Sequence, residues 1–484
     1  MKEIHAYELA KAVNGTILSG SEDTLITSVS TNSKEIEAGA LFVPIVGERV
    51  DAHDFIDMAL EAGAVATFTA RKCSEFLPGK VYIQVEDTTK ALQQAAAWYR
   101  SLFDVKIVGI TGSVGKTTTK EMIAAALSTK YNVLKTKGNM NSQIGLPLMM
   151  FYLEEDIQVA VIEMGMSEVG EMERLAAIAK PDMAVMTNIG VSHIGQLGSQ
   201  ENIRKEKLNI IDNFSGECSL YLNGEDRLLH EMKDYVADVK KGNEVDSNLF
   251  DRKTIAKFEN CVVKEFGLND SCEFQAMNIT IEGEGQQFKY KSGALTETIT
   301  LSVLGEHNVF NATVALAVAE EFGIAPSEAK KGLEAYKPIR MRGQIYDCEG
   351  KKIIDDTYNA SPDSMKSGAL MLLDMEGVQR RILVFADVLE LGASSRDCHY
   401  GVGTFLAETK KHGHQIDMVV TVGTEAKAIC EAIKDCGSSI TAKAFAEKEE
   451  AIQYLLSQVK VGDAILVKGS RGMHMEEVVE ALKK

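Results

Sequence analysis

The segment GITGSVGKTTTK, Gly109–Lys120, constrains this chain more than any other stretch. It follows the apolar run KIVGI at 106–110 and leads into TTKEMIAAALSTKY, whose apolar spacing predicts a helix. A buried strand that turns through glycines into a helix aims backbone N–H groups and a helix N-terminus at an anion. Gly112, Ser113, Val114, Gly115, Lys116, Thr117 and Thr118 would form that cradle. Lys116 would reach β- and γ-phosphates, and the Thr117 hydroxyl would ligate Mg²⁺. The widespread pattern, G-x-x-x-x-G-K-[ST], needs glycine at 110, where this chain has Ile110. That spacing disfavours ordinary GTPases and kinases. A glycine-rich turn with an incidental lysine is the bland alternative; strand, glycines, Lys-Thr pair and helix together weigh against it.

Apolar strands recur at QVAVIEMG and DMAVMTNIG, each followed by helix-like sequence. Alternating β and α units with apolar strands imply a parallel sheet covered on both faces. With 484 residues the chain exceeds a single core. Residues 1–98 mix strand-like runs (ALFVPIVG, VYIQVED) with helical ones (FIDMALEAGA, ALQQAAAWYRSLF). Residues 99–337 hold the glycine loop, then a polar stretch at 236–255 that reads as an exposed excursion. Period-two segments follow, with a hairpin turn expected at Gly283 and Gly285, and then the helix NVFNATVALAVAEEFG. Residues 338–484 carry strands at KKIIDDTY, RRILVFAD, DMVVTVG and AILVKGS between helices. The expected fold is α/β in three domains: a central P-loop domain with a parallel or mixed sheet, an N-terminal α/β domain, and a C-terminal Rossmann-like domain.

The formal charge of -18 argues against nucleic-acid binding, which wants basic surface. An anionic substrate would have to be met by local positive charge. The eight cysteines include no C-x-x-C pair, so free thiols in a reducing compartment are expected. The start, MKEIHAYELAKAVNG, lacks a long apolar run behind a basic end, and no run of about eighteen apolar residues follows elsewhere. A cytoplasmic protein with no membrane span is the expectation.

Three further residues suggest chemistry. Glu163 ends an apolar strand on the same sheet edge as the glycine loop, where open α/β sheets bind ligands. It is a second candidate Mg²⁺ ligand, a solvated strand-end carboxylate being the alternative. His193 follows the strand DMAVMTNIG in the same way, although a lone histidine is commonly structural. Lys207, in ENIRKEKLNI, reads by residue type as a solvated lysine on a polar helix.

The loop TGSVGKTTTK resembles the T-G-x-x-G-K-[ST] loop of the Mur ligases, the ATP-dependent amide-forming enzymes of peptidoglycan synthesis. The resemblance extends over essentially the whole chain. It includes TKGNMNSQIGLPL (136–148), EMGMSEVGEMERL (163–175), TNIGVSHIGQLGSQENI (187–203), GEHNVFNA (305–312), DDTYNASPDSM (355–365), DVLELG (387–392) and VKGSRGM (467–473). NASPDSM and EMG-x-x-x-x-GE are most similar to the family member that adds D-alanyl-D-alanine to UDP-N-acetylmuramoyl-tripeptide.

This resemblance implies roles that residue type alone does not. His193 would help hold a second Mg²⁺, and the register S-x-E-N-I-x-x-x-K places Lys207 on the family's carbamylated lysine. A carbamate is the kind of oxygen donor a hard cation requires. Asn209 stands where the family usually has Glu. Asn308 and Asn311 would approach the adenine end of ATP, Arg342 the phosphates and Asp356 the ribose. Ser33 and Lys34, with the GERVDAH turn, would lie near the UDP-sugar. The family commonly has D-[ST]-R where this chain has Asn32-Ser33-Lys34, and lysine cannot reproduce a bidentate guanidinium fork. Asn139, Asn141, Tyr358, Asn359 and Ser361 would face the substrates.

The implied reaction runs through an acyl phosphate with ATP and two Mg²⁺, Lys116, His193, Lys207 and Arg342 being catalytic, in a monomer whose domains close on binding. A sibling ligase adding a different amino acid remains open, as does an inactive nucleotide-dependent regulator. The N-R-P type motif of diaminopimelate-adding siblings is not seen. The intact loop, Glu163, His193 and Lys207 weigh against an inactive protein.

Overall fold

The computed structural model describes residues 1–72, 74–243, 250 and 252–484. Cys73 and the segment 244–249 with residue 251, the middle of the polar stretch, lie outside the described residues. The remaining seven cysteines are free thiols.

Three main sheets follow one another along the chain. The first has five strands in the order Thr16–Ser19, Val81–Gln84, Ala66–Thr69, Ala40–Phe42, Ser28–Ser30. Only its Thr16–Ser19 edge runs antiparallel. The helix Thr88–Arg100 covers it, started by Asp87, whose carboxylate accepts from the Thr89 and Lys90 N–H groups. Its Tyr99 is fully buried and donates to Leu153 O at 3.0 Å, so one apolar layer continues into the next sheet.

The second sheet has nine strands, and the predicted strand Lys106–Thr111 lies inside it, between Val159–Glu163 and Met183–Met186. All three are parallel, and VAVIE and MAVM are buried at every position, as a sheet with helices on both faces demands. In register Glu163 pairs with Ile110, so the carboxylate leaves the sheet beside the glycine loop. The loop helix Lys116–Leu127 packs under Glu306–Glu321 and Pro326–Glu334. Gly332 permits this: a Cβ there would lie 2.1 Å from Ala125 O. The period-two segments form an antiparallel meander, Phe274–Glu282, Gly285–Ser292 and Leu295–Leu301, with Gly283 at φ +63 in the first turn.

The third sheet runs Gln344–Cys348, Lys351–Asp355, Asp463–Lys468, Arg380–Ala386, Met418–Val422, Thr441–Phe445, parallel except for the first pair. Among the described residues no helix is long and apolar enough to cross a membrane.

One reading needs correction. The stretch 236–255 is not simply an exposed excursion. The helix Arg227–Lys240 runs into it, and Phe250 is fully buried between Tyr235 and Phe258, with ring centroids 5.3 and 5.4 Å away. Phe250, with Val236 and Thr254 also buried, anchors the described part of a mostly polar segment.

Candidate active site

The glycine loop is built as its sequence requires. Gly112 sits at φ +148, and a Cβ there would fall 1.9 Å from Thr187 Oγ1. Gly115 caps the loop helix at φ +88, a conformation glycine adopts without steric cost. The neighbouring strand end braces the loop. Asn188 Oδ1 accepts from the Ser113 and Val114 N–H groups at 3.1 and 2.9 Å, while Thr187 Oγ1 donates to Val114 O at 2.5 Å. Sequence reading missed this brace, although TN lies within a segment already singled out.

Lys116 folds back to donate to Gly112 O at 2.7 Å. Burial pushes its ammonium below the usual lysine range; Glu163 opposes that shift and Arg342 adds to it. Thr117 Oγ1 donates to Glu163 Oε2 at 3.0 Å, and Asn141 Nδ2 holds the other carboxylate oxygen at 2.8 Å. Arg342 crosses from the third sheet's unit: its guanidinium lies 3.3 Å from Thr117 Oγ1 and 3.9 Å over the Tyr358 ring.

Two cavities flank this centre. One, of about 540 Å³, is lined by Val114, Gly115, Thr117, Thr118, Asn308, Asn311, Arg342 and Asp356. Asn308 and Asn311 are buried; Asn311 ties their helix to the loop helix, its Oδ1 accepting from Thr119 Oγ1 at 2.8 Å, while Asn308 Nδ2 donates to Leu304 O at 2.7 Å. Asp356 pairs with buried Lys468 at 2.6 Å, a partner not foreseen. His307 shares this cavity, and burial lowers its pKa, favouring the neutral imidazole. The other cavity, of about 480 Å³, is lined by Ser113, Lys116, Asn139, Asn141, Glu163, His193, Tyr358, Asn359 and Ser361.

His193 Nδ1 lies 3.0 Å from Glu390 Oε2, on the DVLELG segment of the C-terminal unit. That bond holds the Glu390 carboxyl below its usual range. Lys207 is only 1% exposed. Burial and then the charge of Lys116 push its pKa far below the ordinary lysine value, with Glu206 opposing. Neither cavity is lined by Lys207; it lies near enough to Lys116 to feel that charge. Its helix starts at Ser199, and Asn209 reaches Glu206 Oε2 at 3.3 Å. Ser33 and Lys34 are not brought to this centre: they sit on a loop after Ser28–Ser30, outside both cavities.

The donor chemistry fits a hard divalent cation at Thr117 and Glu163, where a hydroxyl and a carboxylate already converge. Among the described residues no group of three His, Cys, Asp or Glu could hold a metal ion. Further ligands would come from water, nucleotide oxygens or a modified side chain.

Family models match in three successive blocks: the Mur ligase family, catalytic domain at 25–100, the Mur ligase middle domain at 110–319, and the Mur ligase, glutamate ligase domain at 341–471. The chain is 37% identical to the UDP-N-acetylmuramoyl-tripeptide--D-alanyl-D-alanine ligase of Bacillus subtilis, over 98% of this chain and 97% of that protein. It is 34% identical to the Escherichia coli protein of the same name, covering 99% and 98%. The crystal structure of MurF from Acinetobacter baumannii superposes with a TM-score of 0.87 at 29% identity, covering 100% and 99%. That of MurF ligase from Thermotoga maritima in complex with ADP gives 0.78 at 28%, covering 94% and 97%. Identity at this level along nearly the full length of both chains, on one shared three-domain α/β fold, means that the chain belongs to the Mur ligase family.

Proposed function

We propose that this chain is the cytoplasmic ligase that joins D-alanyl-D-alanine to UDP-N-acetylmuramoyl-tripeptide at the expense of ATP. The observation that carries this reading is the meeting of Lys116, Thr117 and Glu163, from the central sheet, with Arg342 and Tyr358 from the C-terminal unit, at a cleft between two cavities. The proposed division into domains 1–98, 99–337 and 338–484 is supported by the three successive sheets, and the nucleotide would sit between the last two.

The tripeptide carboxylate attacks the γ-phosphorus of ATP, ADP leaves, and an acyl phosphate results. The amine of the dipeptide then attacks the acyl carbon; the amide forms as phosphate departs and the nitrogen loses a proton. The first step brings two anions together and the second expels an anionic phosphate; Lys116 and Arg342 supply fixed positive charge for both. Arg342 is preorganised by its stacking on Tyr358. Asn188 and Thr187 hold the loop in shape before ATP arrives, which lowers the ordering cost of binding. Thr117 and Glu163 would hold one Mg²⁺, and His193 with a carbamylated Lys207 would hold a second; when bound, such ions neutralise developing phosphoryl charge. Burial and the charge of Lys116 push the Lys207 pKa well below the usual lysine value, which eases loss of the proton that an amine must shed to react with CO₂. Ser33 and Lys34 would meet the UDP-sugar at the far end of a long substrate, consistent with their lining neither cavity.

Acceptor competition tests the assignment. With the UDP-sugar tripeptide and ATP present, D-alanyl-D-alanine should be consumed far faster than free lysine or diaminopimelate, followed by mass spectrometry of the products. Preferential use of a single diamino acid would move the chain to a sibling activity.

A further inference from the structure

Four lysine and arginine side chains line the cavity of about 480 Å³: Lys116, Arg342, Lys468 and Arg471. Three are already engaged. Lys116 folds onto the glycine loop, Arg342 lies against Thr117, and Lys468 pairs with Asp356 at 2.6 Å. Arg471 is half exposed to the cleft, and the chemistry described so far does not use it.

Its guanidinium is held by one side only. Nη1 donates to Glu476 Oε1 at 3.0 Å and lies 3.9 Å from Met341 Sδ. Among the described residues no acceptor meets Nε or Nη2, and these two share the edge whose parallel N–H groups match a carboxylate. The turn that carries Arg471 is pinned from several directions. Leu389 N donates to Ser470 Oγ at 3.1 Å, Ser470 N to Asp387 O at 3.3 Å, and Lys448 Nζ to Met473 O and His474 O at 3.3 and 3.2 Å. Leu389 lines the same cavity at 56% exposure, and a Cβ on Gly472 would lie 3.0 Å from its Cδ1. An anion-binding edge and an exposed apolar side chain thus stand together on one braced turn. A short apolar peptide that ends in a carboxylate presents the complement of both.

We propose that Arg471 binds the terminal carboxylate of the incoming dipeptide through its Nε–Nη2 edge, with Leu389 against an alanine methyl group. This rests on the reading above that D-alanyl-D-alanine is the acceptor, and adds which residue recognises its acid end. An extended dipeptide spans at most about 7 Å, so a single amino acid anchored at the same edge holds its amine about 3.5 Å further from the acyl phosphate. Arg471 therefore selects for length as well as for charge.

The test compares D-alanyl-D-alanine with its C-terminal amide as acceptors, using the full-length enzyme with ATP and the UDP-sugar tripeptide. Wild type should prefer the acid by at least about 30-fold in kcat/KM, since the amide leaves the guanidinium without its charged partner. Arg471→Gln should lose a similar factor on the acid and little on the amide, so that the preference collapses, while the KM values for ATP and the UDP-sugar stay at wild type. Arg471→Lys, which keeps the charge without the fork, should fall between. A merely structural role would lower both acceptors together and leave their ratio alone. The wild-type comparison needs no variant, so the proposal stays testable if Arg471→Gln folds poorly. Equal use of acid and amide by wild type, or an undiminished preference in Arg471→Gln, would overturn it. A raised KM for the UDP-sugar tripeptide in Arg471→Gln, with the acid preference intact, would assign the guanidinium to a carboxylate of the other substrate instead. If wild type uses neither form of the dipeptide but ligates a diamino acid, the functional reading itself falls, and this assignment with it.

Discussion

Lys207 is a long cationic side chain taken almost wholly out of water, near a second ammonium, Lys116, whose charge opposes its own. Its pKa falls well below 10.5 in the folded state, so the unfolded chain binds more protons than the folded one across the interval between the two values. Stability therefore rises with pH there, and is lost as pH falls toward the folded value. Lys207→Met should accordingly be more stable than CO₂-depleted wild type at pH 7, with the gap closing toward pH 10, measured by urea unfolding. Carbamylation resolves the same conflict chemically. Labelled bicarbonate should give one carbamate signal in carbon NMR that is absent from Lys207→Met, and activity should fall when CO₂ is removed. A full-rate enzyme without that signal would exclude the role. Lys116→Ala should lose at least about 10²–10³-fold in turnover, because it deletes a charge aimed at the transferring phosphoryl group, while the unfolding midpoint stays near wild type. Lys116 was legible from its motif. Lys207 was not legible from residue type, since the pattern RKEK looks like a solvated face; only family resemblance pointed to it. Glu390, Lys468 and Asn188 were not assigned roles because their partners lie far away in sequence: Glu390 meets His193 from another unit, and Lys468 meets Asp356 from the neighbouring strand of its own sheet.

Elements were easier to read where burial was complete. The strands Lys106–Thr111, Val159–Glu163 and Met183–Met186 are continuous apolar runs because both faces are covered, and periodicity found them. The edge strand Thr441–Phe445, sequence TAKAF, is largely exposed and carries no such signal. Phe250 shows the opposite failure: a ring set in mostly polar text is fully buried, and a window average cannot register it. The loop itself is a strand-to-helix element whose shape depends on Gly112. Gly112→Ala must both occupy φ +148 and clear Thr187, where its Cβ would sit 1.9 Å from Oγ1. The backbone strain alone is of order 1–3 kcal/mol. Denaturant unfolding should show at least that loss, together with weakened ATP binding by calorimetry. A variant with wild-type stability and nucleotide affinity would mean that the loop relaxes freely. Asn188→Ala should raise the KM for ATP more than it lowers kcat, since Asn188 shapes the empty loop rather than the reacting atoms.

At the scale of the whole molecule, three sheets in series provide a cleft that no single unit contains. Arg342 reaches Thr117 from the C-terminal unit, and Glu390 reaches His193, so both contacts report how the domains sit together. Arg342→Lys should already be poorly active, because an ammonium cannot stack flat on Tyr358 or present a guanidinium fork. Single-turnover kinetics should place its defect in acyl-phosphate formation rather than in ATP binding. The three α/β units were legible from alternating strand and helix text, but their mutual placement was not, because contacts between domains leave no periodic trace. The central claim is that all three substrates are consumed in one coupled reaction. Its most direct measurement is phosphate release from ATP by the purified chain, with the UDP-N-acetylmuramoyl-tripeptide and D-alanyl-D-alanine supplied separately and together. The account predicts release only with both present, one phosphate for each UDP-N-acetylmuramoyl-pentapeptide found by mass spectrometry. Equal release with either substrate omitted, or release with no pentapeptide formed, would contradict it.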